Sequence, residues 1–327
     1  MPDLAVSFAK FGPGPEVATL QTTQMADPGP GQIRVRLAFA PVNPADLNYL
    51  EGTYGLRPTL PSPVGMEGAG TIESVGEGCT LSPGQKVCLR GGPGAWATRL
   101  LLREEEVWPL PPEIDLQQAA MLRINPATAW LLLHQKGEPA AGDWILQNGA
   151  SSAVGHCLVQ LARLLGLKTA SLVRREASRA ALEALGADLV LLDQDESLAA
   201  LQELTPRPRL ACNTVGGASA LRLMNGLGAG GTLLTYGAMA RQPLKVPNGL
   251  LLFQGLALEG FWLTRWRESV TQQAEAALYQ RLAGWMAEGR LKMPIDSLFR
   301  LSDVQAALRR ASESGRDGKV LLQLAAS

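Results

Sequence analysis

The chain has 327 residues, enough for two domains; 46% of them are hydrophobic, 18% are charged, and the formal net charge is zero. This balance is typical of a globular protein and excludes the basic surface of a nucleic-acid-binding protein. No run of about 18 apolar residues is present, so no membrane-spanning helix is expected.

The N-terminal residues lack the basic start and apolar stretch of a secretory signal, and an Arg- and Ser-rich transit segment is missing. We therefore expect a mature protein that begins at its first residue and stays in the cytoplasm.

The first part of the chain, residues 1 to about 116, is predicted to be β-rich. Ile33, Val35 and Leu37 alternate with polar residues, as in a half-buried strand. Further short strands are expected at 70–75, 85–90 and 96–102, and Pro/Gly turns separate them. Many short strands with such turns favour a small barrel or sandwich.

A polar loop at residues 43–55 lies within this β-rich part and contains Tyr54. A phenol can donate a proton or a hydrogen bond at neutral pH. A single loop tyrosine is more often structural than catalytic, so both readings stay open at this point.

The periodicity changes near Asp115, where a helical pattern covers 115–135 with a break at Asn125-Pro126. Strands and helices then alternate, which predicts a doubly wound parallel sheet, an α/β fold. The predicted strands are 144–148, 168–173, 188–192, 209–215, 231–236 and 255–262, and the helices are 154–166, 176–185, 196–204 and 218–227. Helices at 268–289 and 303–313 and a strand at 319–324 follow, and we expect this tail to pack on the N-terminal domain.

The first strand of this sheet leads into a helix through Gly149-x-x-Ser152-x-x-Gly155. A turn of small residues at a helix N-terminus suits a diphosphate, because backbone N–H groups and the positive end of the helix face the anion. Any tight turn requires small residues, so the motif alone is a weak signal.

The second strand ends at Arg174 and Arg175, which stand 19 and 20 positions after Gly155. An NAD enzyme commonly has an acidic residue there, which binds the ribose 2′-hydroxyl. Guanidinium groups suit a 2′-phosphate instead, so the pair favours NADPH over the alternative of two solvated arginines.

Two more loops, 213–217 and 235–239, follow strands at the edge where ligands of such sheets bind. The apolar segment 261–263 is as typical of a core as of a site.

Metal ligands are scarce. Cys79, Cys88, Cys157 and Cys212 form no Cys-x-x-Cys pair, and only two histidines are present. Zinc needs three or four ligands, and no evident set exists, so we expect an enzyme without a metal. Single buried or half-buried thiols are expected instead.

Several segments resemble the medium-chain dehydrogenase/reductase superfamily: Asn43-Pro-Ala-Asp, Gly52-Thr-Tyr-Gly55, Gly65-Met-Glu-Gly-Ala-Gly70 and Asn125-Pro-Ala-Thr-Ala129. Zinc-bearing members have a histidine where Met66 stands here. Within the superfamily, the chain is similar to the zinc-independent 2-enoyl thioester reductases of mitochondrial fatty-acid synthesis. The segments that carry this similarity are Gly52–Gly55, Gln147-Asn148, Val173–Arg175, Tyr236–Met239, Gly260–Leu263 and Gly318-Lys319.

The resemblance implies a GroES-like β-rich catalytic domain (1–116 and 264–327) and an NADPH-binding Rossmann domain (117–263). It implies Tyr54 as the catalytic residue. The implied cofactor-binding residues are Asn43, Asn125, Thr128, Ser151, Ser152, Ala153, Val154, Arg174, Arg175, Tyr236, Gly237, Ala238, Met239, Phe261, Trp262, Leu263 and Lys319. Glu176 departs from the pattern, because the family often has a further basic residue there.

The implied reaction is NADPH-dependent reduction of a 2-enoyl thioester, with hydride added to Cβ and a proton to Cα. An NADPH:quinone oxidoreductase of the same superfamily is the first alternative, and a cofactor-binding protein without turnover is the second. The resemblance also implies a homodimer that pairs edge strands of the cofactor domain, for which the apolar run Leu250–Leu258 is the candidate strand.

Overall fold

The computed structural model describes residues 3–324. Its contacts divide the chain into two compact units. The first unit combines Met1–Ile124 with Gln273–Ser327, and the second runs from Asn125 to Gln272. The limits expected from the sequence, after residues 116 and 263, stay a prediction about the domains.

The elements before residue 125 are mostly strands: β1 (Asp3–Phe8), α1 (Gly14–Val17), β2 (Thr19–Thr23), β3 (Gln32–Pro41), α2 (Pro44–Glu51), β4 (Ser62–Pro63), β5 (Ala69–Val75), β6 (Lys86–Leu89), β7 (Arg99–Arg103), β8 (Val107–Pro109) and α3 (Leu116–Ala119).

Strands and helices alternate in the next part of the chain: α4 (Asn125–His134), β9 (Trp144–Gln147), α5 (Ala153–Leu164), β10 (Lys168–Val173), α6 (Arg179–Leu185), β11 (Leu189–Leu192), α7 (Leu198–Gln202), β12 (Leu210–Asn213), α8 (Gly217–Gly226), β13 (Thr232–Thr235), α9 (Asn248–Leu252), β14 (Ala257–Gly260) and α10 (Leu263–Ser269). The last elements are α11 (Gln272–Ala287), β15 (Ile295–Arg300), α12 (Val304–Ser312) and β16 (Lys319–Gln323).

The long strand β3 organises the first unit. It pairs with β5 along one side and with β7 and β16 along the other, in a seven-stranded sheet with the main order β15-β16-β3-β5-β6-β8. A second, three-stranded sheet has the order β2-β1-β4. Ile33, Val35 and Leu37 are fully buried, whereas Arg36 is exposed. The alternation read from the sequence is therefore the real core pattern of this β-rich unit.

The second unit is built on one parallel sheet in the order β11-β10-β9-β12-β13-β14. All its strand pairs are parallel. Leu172 and Val173 belong to different buried clusters, because successive residues of a strand point to opposite faces. The order of strands reverses between β9 and β12, which is where open α/β sheets bind ligands. The predicted two-part α/β fold is thus confirmed.

The apolar run Leu250–Leu258 is not the strand that was expected. Pro247 precedes a short helix, α9, and Gly255 has a φ of 61°, a left-handed turn that suits glycine. Only Ala257–Gly260 forms the strand β14, which lies at the edge of the parallel sheet. Apolar composition alone cannot distinguish these conformations.

The predicted helix 268–289 also divides, into α10 and α11, with Val270 and Thr271 between them. Across residues 3–324, no helix combines the length and the hydropathy that a membrane crossing requires.

Candidate active site

The turn between β9 and α5 has the features of an anion-binding helix start. Ser152 is the N-cap of α5, and its Oγ accepts a hydrogen bond of 3.2 Å from the backbone N–H of Gly155. A Cβ on Gly155 would lie 2.3 Å from the Ala150 carbonyl oxygen, so only glycine permits this close turn. Ser151 is exposed, and Ala153 and Val154 form the first turn of the helix. The turn and the start of α5 therefore have the features that suit a diphosphate.

Two exposed arginines, Arg174 and Arg175, follow directly on β10. The next residue, Glu176, accepts hydrogen bonds from the guanidinium of Arg179, and the pKa of its carboxyl is lowered by those bonds. The negative charge that departs from the family pattern is thus already compensated within its own turn.

Buried amides link the ends of three neighbouring strands. The Asn148 side chain donates to Asn213 Oδ1 (2.8 Å) and Ser219 Oγ (2.9 Å), and its Oδ1 accepts from the Thr214 N–H at 2.8 Å. Asn213 donates in turn to Thr235 Oγ1 at 3.1 Å. These bonds fix the loops after β9, β12 and β13 relative to one another. Sequence reasoning missed this role, although both asparagines directly follow or end a short apolar strand.

The loop after β13 contains Tyr236, Gly237, Ala238 and Met239. Two backbone hydrogen bonds anchor it: Tyr236 N–H donates to the Asn213 carbonyl (3.0 Å) and Met239 N–H to the Thr214 carbonyl (2.9 Å). Burial raises the pKa of the Tyr236 hydroxyl, which therefore stays protonated. A Cβ on Gly237 would lie 2.4 Å from Thr214 Oγ1 and 3.1 Å from the Thr214 carbonyl oxygen, so glycine allows the close approach of this loop to Thr214.

The remaining predicted residues of the second unit lie at two places. Phe261 and Trp262 follow β14, Leu263 begins α10, and all three are half-buried. The Phe261 N–H donates to the Thr235 carbonyl at 2.9 Å, which places this segment beside the loop after β13. Asn125 and Thr128 lie in the first turn of α4 and are buried.

In the first unit, Tyr54 follows the end of α2. Gly52 caps that helix with a φ of 74°, and the Tyr54 N–H donates to the Asn48 carbonyl at 3.1 Å. The Tyr54 ring is half-buried and packs on the hydrophobic core of the unit. The backbone of Tyr54 is therefore held by the helix end.

Asn43 and Lys319 are brought together in the first unit. The Lys319 ammonium donates to Asn43 Oδ1, and Asn43 Nδ2 donates to Glu67 Oε1 at 2.8 Å. Sequence reasoning identified the first two residues and missed Glu67. An acid among the small residues of Gly65-Met-Glu-Gly-Ala-Gly70 is the signal that could have found it.

A second acid, Asp46, is fully buried nearby. Its Oδ2 accepts from the Asn43 N–H (2.8 Å) and its Oδ1 from the Met66 N–H (2.9 Å). Burial outweighs these bonds and raises the pKa of Asp46 to about 7. The Asn43-x-x-Asp46 spacing is that of a capping box, which the sequence displays.

The cysteines are a half-buried thiol (Cys79) and three buried ones, as expected. Burial raises the pKa of the Cys88 and Cys212 thiols to about 12, so both stay protonated. Within residues 3–324, no three His, Cys, Asp or Glu side chains are grouped as metal ligands.

Residues 29–112 match the alcohol dehydrogenase GroES-like domain, and residues 153–279 match the zinc-binding dehydrogenase family. The mitochondrial enoyl-[acyl-carrier-protein] reductase of Caenorhabditis elegans is 38% identical over 305 residues, which are 91% of this chain and 88% of that protein.

Solved structures have the same fold. The mitochondrial 2-enoyl thioester reductase heterodimer of Candida tropicalis superimposes with a TM-score of 0.90 and 25% identity, over 99% of this chain and 100% of that one. A quinone oxidoreductase of Pseudomonas syringae superimposes with a TM-score of 0.85 and 27% identity, over 98% and 99% of the two chains.

These relatives contradict the expected cytoplasmic location. The similar proteins from Caenorhabditis elegans, human and Arabidopsis thaliana are all named mitochondrial. The prediction was wrong because it rested on the composition of the N-terminal residues alone.

Matches in both units, together with identity above 30% along most of the chain, leave one assignment. The chain belongs to the medium-chain dehydrogenase/reductase superfamily, within the enoyl-[acyl-carrier-protein] reductase family.

Proposed function

We propose that this chain reduces the 2,3 double bond of a 2-enoyl thioester with NADPH. The observation that carries the proposal is the 38% identity to an enoyl-[acyl-carrier-protein] reductase over 91% of the chain. A structurally similar reductase, 26% identical with a TM-score of 0.90, was solved in complex with NADP and crotonyl-CoA.

The described residues fit NADPH. Gly155 allows the tight turn, Ser152 caps α5, and the helix start offers backbone N–H groups to a diphosphate. Arg174 and Arg175 offer two exposed guanidinium groups to a 2′-phosphate. Bound NADPH supplies the hydride that is added to Cβ of the enoyl group.

In this proposal Tyr54 protonates Cα or orients the thioester, directly or through one water molecule. As hydride reaches Cβ, negative charge develops on the thioester oxygen, and hydrogen-bond donors stabilise that charge. The helix end that holds the Tyr54 backbone limits its motion, which favours a fixed donor.

We also propose that the β-rich domain (1–116 and 264–327) is catalytic and that residues 117–263 bind the cofactor. The names of the relatives support a role in fatty-acid metabolism and a mitochondrial location.

We further propose that the protein forms a homodimer. Leu252 and Phe253 are 74% and 88% exposed just before β14, the edge strand of the parallel sheet. Exposed apolar side chains beside an unpaired strand edge favour association. Phe253→Glu should convert the protein to a monomer in light scattering, whereas a protein that is monomeric before the substitution would contradict the proposal.

The function is tested by two acceptors assayed side by side with NADPH. Crotonyl-CoA should be reduced much faster than a naphthoquinone. Preference for the quinone would support the alternative oxidoreductase, and no NADPH oxidation with either would support a binding protein.

The role of Tyr54 is tested by Tyr54→Phe, which should lower kcat with little change in NADPH affinity. Tyr49→Phe is the matched control, because it removes a phenol hydroxyl from α2 that bonds only Ser62 in the described contacts, at 2.8 Å. Turnover of Tyr54→Phe equal to that of the control would refute the role.

A further inference from the structure

Three polar side chains of the first unit form a buried chain from a carboxylate to an ammonium. Glu67 is 1% exposed, Asn43 is 2% exposed and Lys319 is 6% exposed. Glu67 Oε1 accepts from Asn43 Nδ2, and Asn43 Oδ1 accepts from Lys319 Nζ. The amide therefore connects two opposite charges.

The sheet determines this arrangement. Strand β3 pairs with β5 on one side, where Ala69 lies opposite Phe39, and with β16 on the other side. The pairing with β16 extends as far as Val42, whose N–H donates to the Val320 carbonyl at 2.9 Å. Asn43, two residues after the end of β3, thus receives Glu67 from the segment before β5 and Lys319 from the start of β16.

Donor and acceptor chemistry fixes the direction of the chain. An ammonium has only donors, so Asn43 must turn its oxygen to Lys319 and its NH2 group to Glu67. The other oxygen of Glu67 accepts from the backbone N–H of Ile124 at 2.9 Å. Both carboxylate oxygens face donors, and these hydrogen bonds offset part of the rise in the pKa of Glu67 that burial causes.

The surrounding charges are few. Burial raises the pKa of Glu67, while Lys319, Asn43, Arg123 and the Ile124 N–H each lower it. Arg123 directs its guanidinium to two carbonyls, of Met66 (2.6 Å) and Arg90 (3.0 Å). The other titratable groups that face the cluster are the carboxyl of Asp46 and the thiol of Cys88. Removing Glu67 would leave Lys319 buried with weakened compensation.

We propose that Glu67 is a positioning residue, which acts through the Asn43 amide to keep Lys319 fixed and cationic for NADPH binding. This inference rests on the proposed function and on the family resemblance, which implies that Asn43 and Lys319 bind the cofactor. Glu67 itself need not touch NADPH. An ammonium that is oriented before the cofactor arrives binds an anionic ligand at a smaller entropic cost.

The test compares the dissociation constant of NADPH at pH 7 and pH 9 in the full-length protein. In wild type the two values should agree within about twofold, because the carboxylate keeps the lysine charged. In Glu67→Gln the affinity should be about tenfold lower at pH 9 than at pH 7, because burial disfavours the charged lysine once the carboxylate that Asn43 joins to it is gone. Glu67→Gln combined with Lys319→Arg should lose this pH dependence, since arginine stays charged.

Asp46→Asn is the matched control for the bond through the Asn43 side chain, because this second buried acid also interacts electrostatically with Lys319 but bonds only the backbone of Asn43. It should keep the wild-type ratio of the two dissociation constants. Equal ratios in Glu67→Gln and wild type would overturn the proposal, and so would failure of Lys319→Arg to restore the ratio.

A direct measurement needs neither a variant nor NADPH. In the wild-type protein, NMR of labelled lysine should show Lys319 as an ammonium up to at least pH 9, and deprotonation below that pH would overturn the inference. A wild-type protein that failed to reduce crotonyl-CoA would count against the proposed function alone, because the lysine signal is read without substrate.

Discussion

Replacing both Arg174 and Arg175 by alanine should raise the KM for NADPH about a hundredfold and leave the KM for NADH nearly unchanged. Both side chains are exposed at the end of β10, so they can reach a 2′-phosphate at a modest desolvation cost. A hydrogen bond to a charged group contributes about 1.5–3 kcal/mol, and exposure favours the lower limit. Two such contacts amount to about 3 kcal/mol, which is a factor of roughly 100.

The assay is steady-state reduction of crotonyl-CoA with each cofactor in turn. Arg209→Ala is the matched control, an exposed arginine directly before β12 and so at the opposite end of the parallel sheet. It should leave both KM values unchanged. Small and equal effects of the double substitution on NADPH and NADH would show that the arginines are only solvated, and the assignment of NADPH specificity to them would fail.

Three further outcomes follow from the described contacts. The pKa of Asp46 is raised from 3.8 to about 7, so the contribution of its protonated carboxyl to the free energy of unfolding is complete below pH 4 and is lost as the pH rises to 7. Urea unfolding should show a loss of free energy on the order of 4 kcal/mol over this window, and Asp46→Asn should not show it. Gly155→Ala would place a methyl group 2.3 Å from the Ala150 oxygen. This strain of about 1–3 kcal/mol should weaken NADPH binding about tenfold in a fluorescence titration, and an unchanged affinity would contradict the prediction. Glu176→Gln should change the KM for NADPH by less than about twofold, because Arg179 already compensates the carboxylate; a large gain in affinity would contradict this.

The sequence predicted the elements whose pattern is local. The strand expected at 168–173 is β10 with the same limits, since its buried run is bounded by polar residues. The run Leu250–Leu258 failed because a short helix, a glycine turn and a strand can share one apolar composition. Glu67 was missed because its partners, Asn43 and Lys319, come from distant positions that only strand pairing brings together.

Apart from the turn Gly149–Gly155 and the pair Arg174 and Arg175, the site residues were predicted from resemblance rather than from pattern. The contacts between the loops after β9, β12 and β13 depend on buried amides such as Asn148, whose partners lie 65 and 71 positions further along the chain. Spacing along the sequence carries no information on such pairs. The alternation of strands and helices therefore predicts which edge of the sheet binds the cofactor, whereas the positions of the loops at that edge depend on side-chain hydrogen bonds.

The pairing of β3 with β16 has a consequence for biosynthesis. These strands are neighbours in one sheet, yet about 280 residues separate them in the chain. At about 5–20 residues per second, the ribosome supplies β16 tens of seconds after β3 has emerged. The contiguous second unit can acquire its parallel sheet during that interval, whereas one edge of β3 must wait for its last partner. During synthesis, the unpaired edge of β3 is therefore accessible to proteases and can be bound by chaperones.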